Sequence, residues 1–230
     1  MNAQEFVIEL EEYATNLSRD IIDHPFIKAI NRNELSSEAL KFFTREYYFV
    51  STSFVKGVAF VAANVPDDET RSILITNLWE EHGSGDISNS HRNLFKRFAH
   101  SVGVSVDELN TYIPTTLTLG YVEKMISVCR DTHFLTGLGA LGPGTEYFTA
   151  PEYKLIAEGL MKRGLTEKDV EFWLVHAEWD DDHYSDIMRA IAPWVETSEN
   201  QELVKLGTHD MIALEVGFWG GLWAETQQAR

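Results

Sequence analysis

Three side chains that commonly bind metal ions share one face of a predicted helix at residues 171–189. His176, Asp180 and His183 are spaced at i, i+4 and i+7, so in an α-helix they fall within about 60° of one another. One helix would therefore offer two imidazole groups and a carboxylate, a ligand set that suits iron, manganese or zinc. For this segment alone, a polar surface stripe with two chance histidines is the competing interpretation.

Two further residues place metal-binding side chains where the helical pattern expects apolar ones. Glu81 continues the helical face that contains Leu74 and Leu78, so we expect its carboxylate to point inward. His91 opens the next predicted helix on the same side as Leu94, so we expect the imidazole to point inward too. Both residues are therefore candidate ligands from helices that face the first one.

Glu146 is a lone carboxylate in the apolar segment 132–148, which also contains a cluster of glycines. Such a cluster indicates close backbone approach or space for a ligand, with a helix–loop–helix connection as the alternative. A buried unpaired charge is very costly, so Glu146 needs a metal ion, an arginine or a lysine as its partner. The segment contains neither arginine nor lysine, which favours the metal ion.

Together these segments supply three carboxylates and three histidines. Zinc typically takes three or four protein ligands, so six are too many for one zinc ion. They suit two metal ions with at least one bridging carboxylate, and oxygen and imidazole donors without a thiolate fit iron or manganese. The pattern differs from ferritin-like di-iron bundles, which use two Glu-x-x-His pairs. The predicted metal ligands are Glu81, His91, Glu146, His176, Asp180 and His183.

The elements that must position these residues all have helical periodicity. Apolar residues recur at three- and four-residue steps, and no segment of any length has the alternation of a β-strand. Pro25, Pro66, Gly103 and Pro193 mark helix ends. We therefore expect one all-α domain over residues 1–230, a bundle of roughly seven helices. The predicted helices span 2–23, 37–64, 68–83, 91–102, 117–131, 151–162, 166–193 and 198–227.

The composition argues against several classes of function. The net charge is −17 and no basic run is present, which argues against binding to nucleic acid or to an anionic membrane surface. Cys129 is the sole cysteine, so an intramolecular disulfide and a cysteine-based metal site are excluded, and we expect a buried, inert thiol. No apolar run approaches about 18 residues, so we expect no membrane span. The acidic, amphipathic N-terminus is unlike a signal peptide and favours a cytoplasmic protein.

Three motifs, in this order, resemble those of the haem-oxygenase-like di-iron oxidases and oxygenases. These motifs are NLWEEHG followed by His91 and LFKRF, then GTEYFTAPEY, and then HAEWDDDH. Members of that family are seven-helix bundles that do not bind haem. The resemblance runs over nearly the whole chain and implies a haem-oxygenase-like bundle in which these three regions hold the metals.

The resemblance also implies a function. It implies a non-haem di-iron oxidase or oxygenase that binds two iron ions, uses O2 as a co-substrate and oxidises a small organic molecule. Manganese is a chemically reasonable substitute for iron. We expect an amine or amino-acid substrate, with Arg45, Tyr47 and Tyr48 as candidate substrate-binding residues. The alternatives are that Arg45 is a plain surface residue and that the two tyrosines are core packing residues.

One departure from the family pattern and several alternatives remain at this stage. Ile27 stands where the chlamydial relative has the tyrosine that it consumes, so tyrosine-consuming chemistry is not expected by that route. The alternatives are a non-enzymatic metal-binding or interaction bundle, a thiaminase-like hydrolase that uses a nucleophilic cysteine, and a cofactorless oxidase on the same fold. Trp219 and Trp223 in the last helix are either core residues or the surface of a homodimer.

Overall fold

The computed structural model describes residues 1–228, with the side chains of all of them except 178–182 and 228. Every regular element over this range is helical, which confirms the predicted all-α class. The α-helices are α1 (Ala3–Ile22), α2 (Pro25–Asn31), α3 (Ser37–Asn64), α4 (Asp68–Glu81), α5 (His91–Ser101), α6 (Val106–Thr111), α7 (Thr116–Asp131), α8 (Phe134–Leu141), α9 (Tyr147–Lys162), α10 (Glu171–Ile191) and α11 (Ser198–Gln228).

The described residues form eleven α-helices rather than roughly seven. Relative to the eight predicted ranges, the additional α-helices are α2, α6 and α8, and a π-helical turn at Gly142–Glu146 joins α8 to α9. These pieces are too short for a full apolar repeat, so periodicity alone does not reveal them. The three glycines and one proline between Leu138 and Thr145 have low helix propensity, so no helix is predicted from the sequence for this segment. Packing in the core stabilises the helical structure that forms there.

The helix that carries the histidine motif begins later than expected. Thr166 and Asp169 do bond reciprocally, with the Asp169 backbone N–H 3.3 Å from Thr166 Oγ1 and the Thr166 N–H 2.8 Å from Asp169 Oδ2. These bonds close a turn before the helix, and α10 itself begins at Glu171. The capping signal therefore indicated the correct region but not the first helical residue.

An aromatic cluster forms the centre of the larger core. Tyr47 of α3 stacks on Trp219 of α11 at 5.4 Å between ring centroids, and Trp173 of α10 lies 5.5 Å from Tyr47. Phe26 and Phe43 extend the cluster, with their rings edge to face at 5.6 Å between centroids. Trp219 is fully buried, so it belongs to the core, and the homodimer stays a prediction.

The packing of α8 against α11 fixes the segment that leads to Glu146. A side chain at Gly139 would place its Cβ 2.2 Å from the Val204 carbonyl oxygen, and one at Gly207 would meet the Thr136 oxygen at 1.9 Å. Only glycine permits the two backbones to approach this closely. Within the described chain, no helix combines the length and apolarity needed to cross a membrane.

Candidate metal centre

Glu81, His91 and His176 form a cluster at the meeting point of α4, α5 and α10. Each residue offers one ligand atom, and these atoms all lie within 4.8 Å of one another. Glu81 Oε2 is 2.8 Å from His91 Nδ1, and the rings of His91 and His176 are 4.2 Å apart between centroids. Three of the six predicted ligands are therefore brought together by two successive helices and by α10, which lies much later in the sequence.

The end of α4 positions Glu81 and the loop that follows it. Thr70, Leu74, Asn77 and Glu81 are the buried residues of α4, so Glu81 continues the inward face as predicted. Gly83 then turns the chain with φ +84°, and a Cβ there would lie 2.2 Å from the Asp86 carbonyl oxygen. This tight turn leads through a loop to His91, the first residue of α5.

Glu146 is the last residue of the π-helical turn between α8 and α9. Short π-helical turns within α-helices are frequently found at functional sites. Glu146 is 3% exposed, and its Oε1 accepts no hydrogen bond from the described residues. His183 Nδ1 lies 3.9 Å from this oxygen, beyond hydrogen-bonding distance. A metal ion could therefore be shared by Glu146 and His183.

Two contacts orient the histidines of α10. His176 Nδ1 is 2.6 Å from the Phe172 carbonyl oxygen, which makes Nδ1 the protonated nitrogen and directs Nε2 to a metal. His183 Nε2 is 3.0 Å from Glu80 Oε2, so Nδ1 is the nitrogen that faces Glu146. Asp180, the sixth predicted ligand, lies in α10 between them, and its side chain is outside the described residues.

The pKa values of these groups reflect burial and mutual charge. Burial raises the pKa of Glu81, but the charges of His91, His176 and His183 outweigh it and lower that pKa to about 2. Burial, followed by the charge of His91, lowers the pKa of His176 to about 3. Burial and the charge of Glu81 raise the pKa of Glu146 well above its ordinary value. An anionic Glu81 and a neutral His176 are the protonation states that bind a divalent metal.

The cluster opens into a cavity of about 440 Å³. α3 contributes Tyr47 and Lys56 to its lining, and the predicted ligands Glu81, His91, Glu146 and His176 line the same cavity. A cavity of this size can enclose a small organic molecule beside the metal ligands.

The predicted substrate-binding residues fall in different places. Tyr47 lines the cavity, and its hydroxyl lies 2.7 Å from that of Tyr153. The Tyr48 hydroxyl accepts a hydrogen bond from Arg92 Nε at 3.0 Å. Arg45 instead pairs with Glu108 at 3.6 Å and lies over the Tyr112 ring. Neither Tyr48 nor Arg45 is among the described residues that line the cavity.

Sequence reasoning missed three acidic residues at or beside the cavity. Glu80 contacts His183, but it lies next to Glu81 in a run of two glutamates, so the sequence gives no reason to choose it. Glu152 and Glu215 are buried on the cavity wall. Glu215 is a lone carboxylate in an apolar stretch, as Glu146 is, so the same signal was available for it.

The single cysteine lies in the core and away from the cavity wall. Cys129 is 1% exposed, packs against Gly57 in the smaller core cluster, and is absent from the described cavity lining. Burial raises the pKa of its thiol to about 12. This setting is that of an inert thiol, as the sequence predicts, and not of a nucleophile.

A family model described as iron-containing redox enzyme matches residues 41–216. This match covers more than half of the chain and includes all six predicted ligand positions. The chain belongs to this family. The predicted resemblance to iron-dependent oxidoreductases is thereby confirmed.

Named relatives of this iron-containing redox enzyme are distant. The chain is 23% identical over 219 residues to the 4-chloro-allylglycine synthase of Streptantibioticus cattleyicolor, covering 93% of this chain and 84% of the relative. It is 25% identical over 173 residues to the 4-aminobenzoate synthase of Chlamydia trachomatis, covering 72% and 71%. Both relatives are named as synthases with different products, so identity at this level does not carry a substrate to this chain.

Solved structures share the fold. A domain with a heme oxygenase-like fold from Shewanella denitrificans has a TM-score of 0.75 at 16% identity, covering 99% of this chain and 94% of that one. A TenA homolog from Pseudomonas syringae pv. tomato has a TM-score of 0.83 at 13% identity, covering 97% and 96%. The predicted haem-oxygenase-like fold is confirmed, and identities this low support the fold alone.

Proposed function

We propose that this protein is an O2-dependent oxidoreductase whose two iron ions are held by Glu81, His91, Glu146, His176, Asp180 and His183. Its substrate is a small organic molecule, an amine or amino acid, that binds in the adjoining cavity. The observation that carries the proposal is the convergence of buried carboxylate and imidazole groups at the wall of a cavity in a member of an iron-containing redox family.

The donor set fits iron. His91 Nδ1 contacts the Glu81 carboxylate at 2.8 Å, whereas His91 Nε2 has no hydrogen-bond partner among the described residues, in a side chain that is 4% exposed. Glu146 Oε1 is likewise buried without a described donor. Such groups are costly unless a ligand engages them, and a divalent cation satisfies imidazole and carboxylate together. Thiolates are absent from the site, which favours iron or manganese over a structural zinc.

The protein's own residues would perform three tasks. Glu81, His91 and Glu146 hold metal from α4, α5 and the π-helical turn, while His176 and His183 do so from α10. The core around Tyr47 and Tyr153 excludes water from one side of the cavity. The bound irons would supply the electrons that activate dioxygen. The cavity then holds the substrate bond that reacts next to the ligands.

A cysteine-dependent hydrolase on the same fold is one alternative function. It requires an accessible thiol of lowered pKa beside the substrate. Cys129 is buried, its pKa is raised, and it does not line the described cavity. These features count against that alternative.

Anaerobic iron loading followed by oxygen exposure tests the proposal. We expect close to two Fe(II) per chain and oxygen uptake that depends on the bound iron. His91→Ala should lose at least one iron and the uptake, whereas His100→Ala, an exposed histidine of the same helix, should keep both. A parallel loading with Mn(II) measures which metal the site retains. Less than one iron per chain, or bound iron that never consumes oxygen, would contradict the proposal.

A further inference from the structure

A second polar cluster lies on the cavity wall away from the predicted metal ligands. Glu152 of α9, Tyr121 of α7 and Glu215 of α11 line the cavity and are 1%, 3% and 4% exposed. The Tyr121 hydroxyl donates a hydrogen bond of 2.5 Å to Glu215 Oε2. Three helices therefore bring two carboxyl groups to one buried place.

This carboxyl pair is incompletely satisfied by the protein. Glu152 Oε1 and Glu215 Oε1 are buried without a described donor in full hydrogen-bonding geometry, and the Trp219 indole N–H beside them lowers the pKa of both carboxyl groups. Burial and the charge of Glu215 raise the pKa of Glu152 well above its ordinary value, and burial raises the pKa of Glu215 to about 7. Two buried acids with open acceptor positions favour a partner that brings positive charge and several N–H donors.

The surroundings of the pair suit a cation supplied by a ligand. The rings of Tyr47, Tyr153 and Phe148 line the same cavity, and aromatic faces attract ammonium groups. The described lysine and arginine residues on the lining are Lys56, Arg92 and Lys96, of which Lys56 and Arg92 are exposed. In the described part of the chain, none of the three forms an ion pair with Glu152 or Glu215. A positive charge on the molecule that occupies the cavity would neutralise the ionised pair.

The spacing to the metal ligands sets the size of that molecule. Glu146 and Glu152 are six residues apart along one helical stretch, a rise of about 9 Å. Both line the cavity. A molecule held at Glu152 and Glu215 by its nitrogen would therefore place carbon atoms a few bonds away beside Glu146.

We propose that Glu152 and Glu215 form the binding site for the protonated amino group of the substrate, a small aliphatic primary amine. This assignment rests on the proposed function and names the feature of the substrate that the protein recognises. Glu152 and Glu215 each accept N–H bonds from the ammonium group, while Tyr121 holds Glu215 in place. The alkyl chain then extends along the cavity toward Glu146.

Calorimetry with n-hexylamine and 1-hexanol at pH 8 tests this assignment. We expect the iron-loaded, anaerobic protein to bind n-hexylamine at least tenfold more tightly than 1-hexanol. Glu152→Gln and Glu215→Gln should each weaken amine binding at least tenfold and change alcohol binding less than twofold. Both replacements keep the side-chain shape, and thermal unfolding verifies that the variants are folded.

Glu46→Gln is the matched control. Glu46 is a fully buried carboxylate of α3, but it accepts hydrogen bonds from Thr115, Thr118 and Tyr112 and is absent from the described cavity lining. Its replacement should leave amine affinity within twofold of the wild type. A loss of amine affinity in this variant equal to that in Glu152→Gln would overturn the assignment, because the effect would then be general.

Three other outcomes would overturn the assignment. These are amine binding no tighter than alcohol binding, unchanged amine affinity in both cavity variants, and a drop in iron content in either one, which would make the pair a metal site. Repeating the calorimetric amine titration with metal-free protein, beside the oxygen-uptake measurement on the iron-loaded protein, separates the two proposals. Amine binding without iron-dependent oxygen uptake would contradict the proposed function alone, and uptake without amine preference would contradict this assignment alone.

Discussion

At the scale of single residues, the environment of each ligand atom decides what it can bind. Phe172 fixes the His176 ring through its carbonyl oxygen, and Glu80 engages His183 Nε2. The remaining nitrogen of each ring is directed to the predicted metal centre. Partners that orient a metal ligand in this way typically contribute tenfold to a hundredfold in metal affinity.

Glu80 is therefore expected to position His183 without binding metal itself. Glu80→Ala should weaken binding of one of the two irons by about tenfold to a hundredfold while the final stoichiometry stays at two. Glu69→Ala, an exposed acid in the first turn of the same helix, provides the control. Competitive Fe(II) titration with a chelator measures both quantities. Loss of a full iron equivalent from Glu80→Ala would instead make Glu80 a ligand.

At the scale of elements, the close crossing of α8 and α11 supports the π-helical turn. Gly207→Ala would force a Cβ to within 1.9 Å of the Thr136 carbonyl oxygen, so the two backbones must separate. Overpacking of this kind costs about 1–3 kcal/mol of unfolding free energy. Urea unfolding should detect this loss, and iron affinity should fall with it because Glu146 follows directly from α8.

Gly217→Ala in the same helix supplies the comparison for that prediction. A Cβ at Gly217 meets nothing within 4 Å, so this substitution should leave stability unchanged or raise it by up to about 1 kcal/mol through helix propensity. If both alanine variants were equally stable, the crossing of α8 and α11 would not be tight in solution.

At the scale of the whole molecule, the buried acid pair couples stability to pH. Burial raises the pKa of Glu215 to about 7, so between about pH 4.5 and 7 the folded chain keeps a proton that the unfolded chain releases. The stabilisation is complete below pH 4.5 and is lost as the pH rises through 7. Over that range it amounts to about 3 kcal/mol for one group.

Glu215→Gln should remove the part of this dependence that Glu215 contributes, because glutamine does not ionise, while Glu152 still does. The groups around Glu215 are Glu152 of α9, Tyr121 of α7 and the nearby Trp219. We expect the free energy of unfolding of the variant, relative to that of the wild type, to be higher at pH 8 than at pH 5. Chemical unfolding of both proteins at both pH values measures this difference. Exposed Glu12→Gln should show no such gain, and equal pH profiles for wild type and Glu215→Gln would contradict the prediction.

Much of the fold and part of the site could be predicted from local pattern. The inward positions of Glu81 and His91 follow from the apolar face of their own helices, and the structure buries both. The same reasoning applied to the carboxylate at Glu215 would have found it. The start of α10 and the short helices required tertiary contacts, because short segments carry too few apolar positions to define a repeat.

The sequence by itself determined the all-helical class and the types of ligand available, because helical periodicity and residue chemistry are local properties. It also excluded a cysteine-based metal site. The tertiary structure decided which side chains meet. In the folded chain Glu80 contacts His183, and Glu152 and Glu215 line the same cavity. Arg45 forms an ion pair with Glu108 and does not line the described cavity. Those partners come from different helices, and only the packing of these helices against one another brings their side chains within reach.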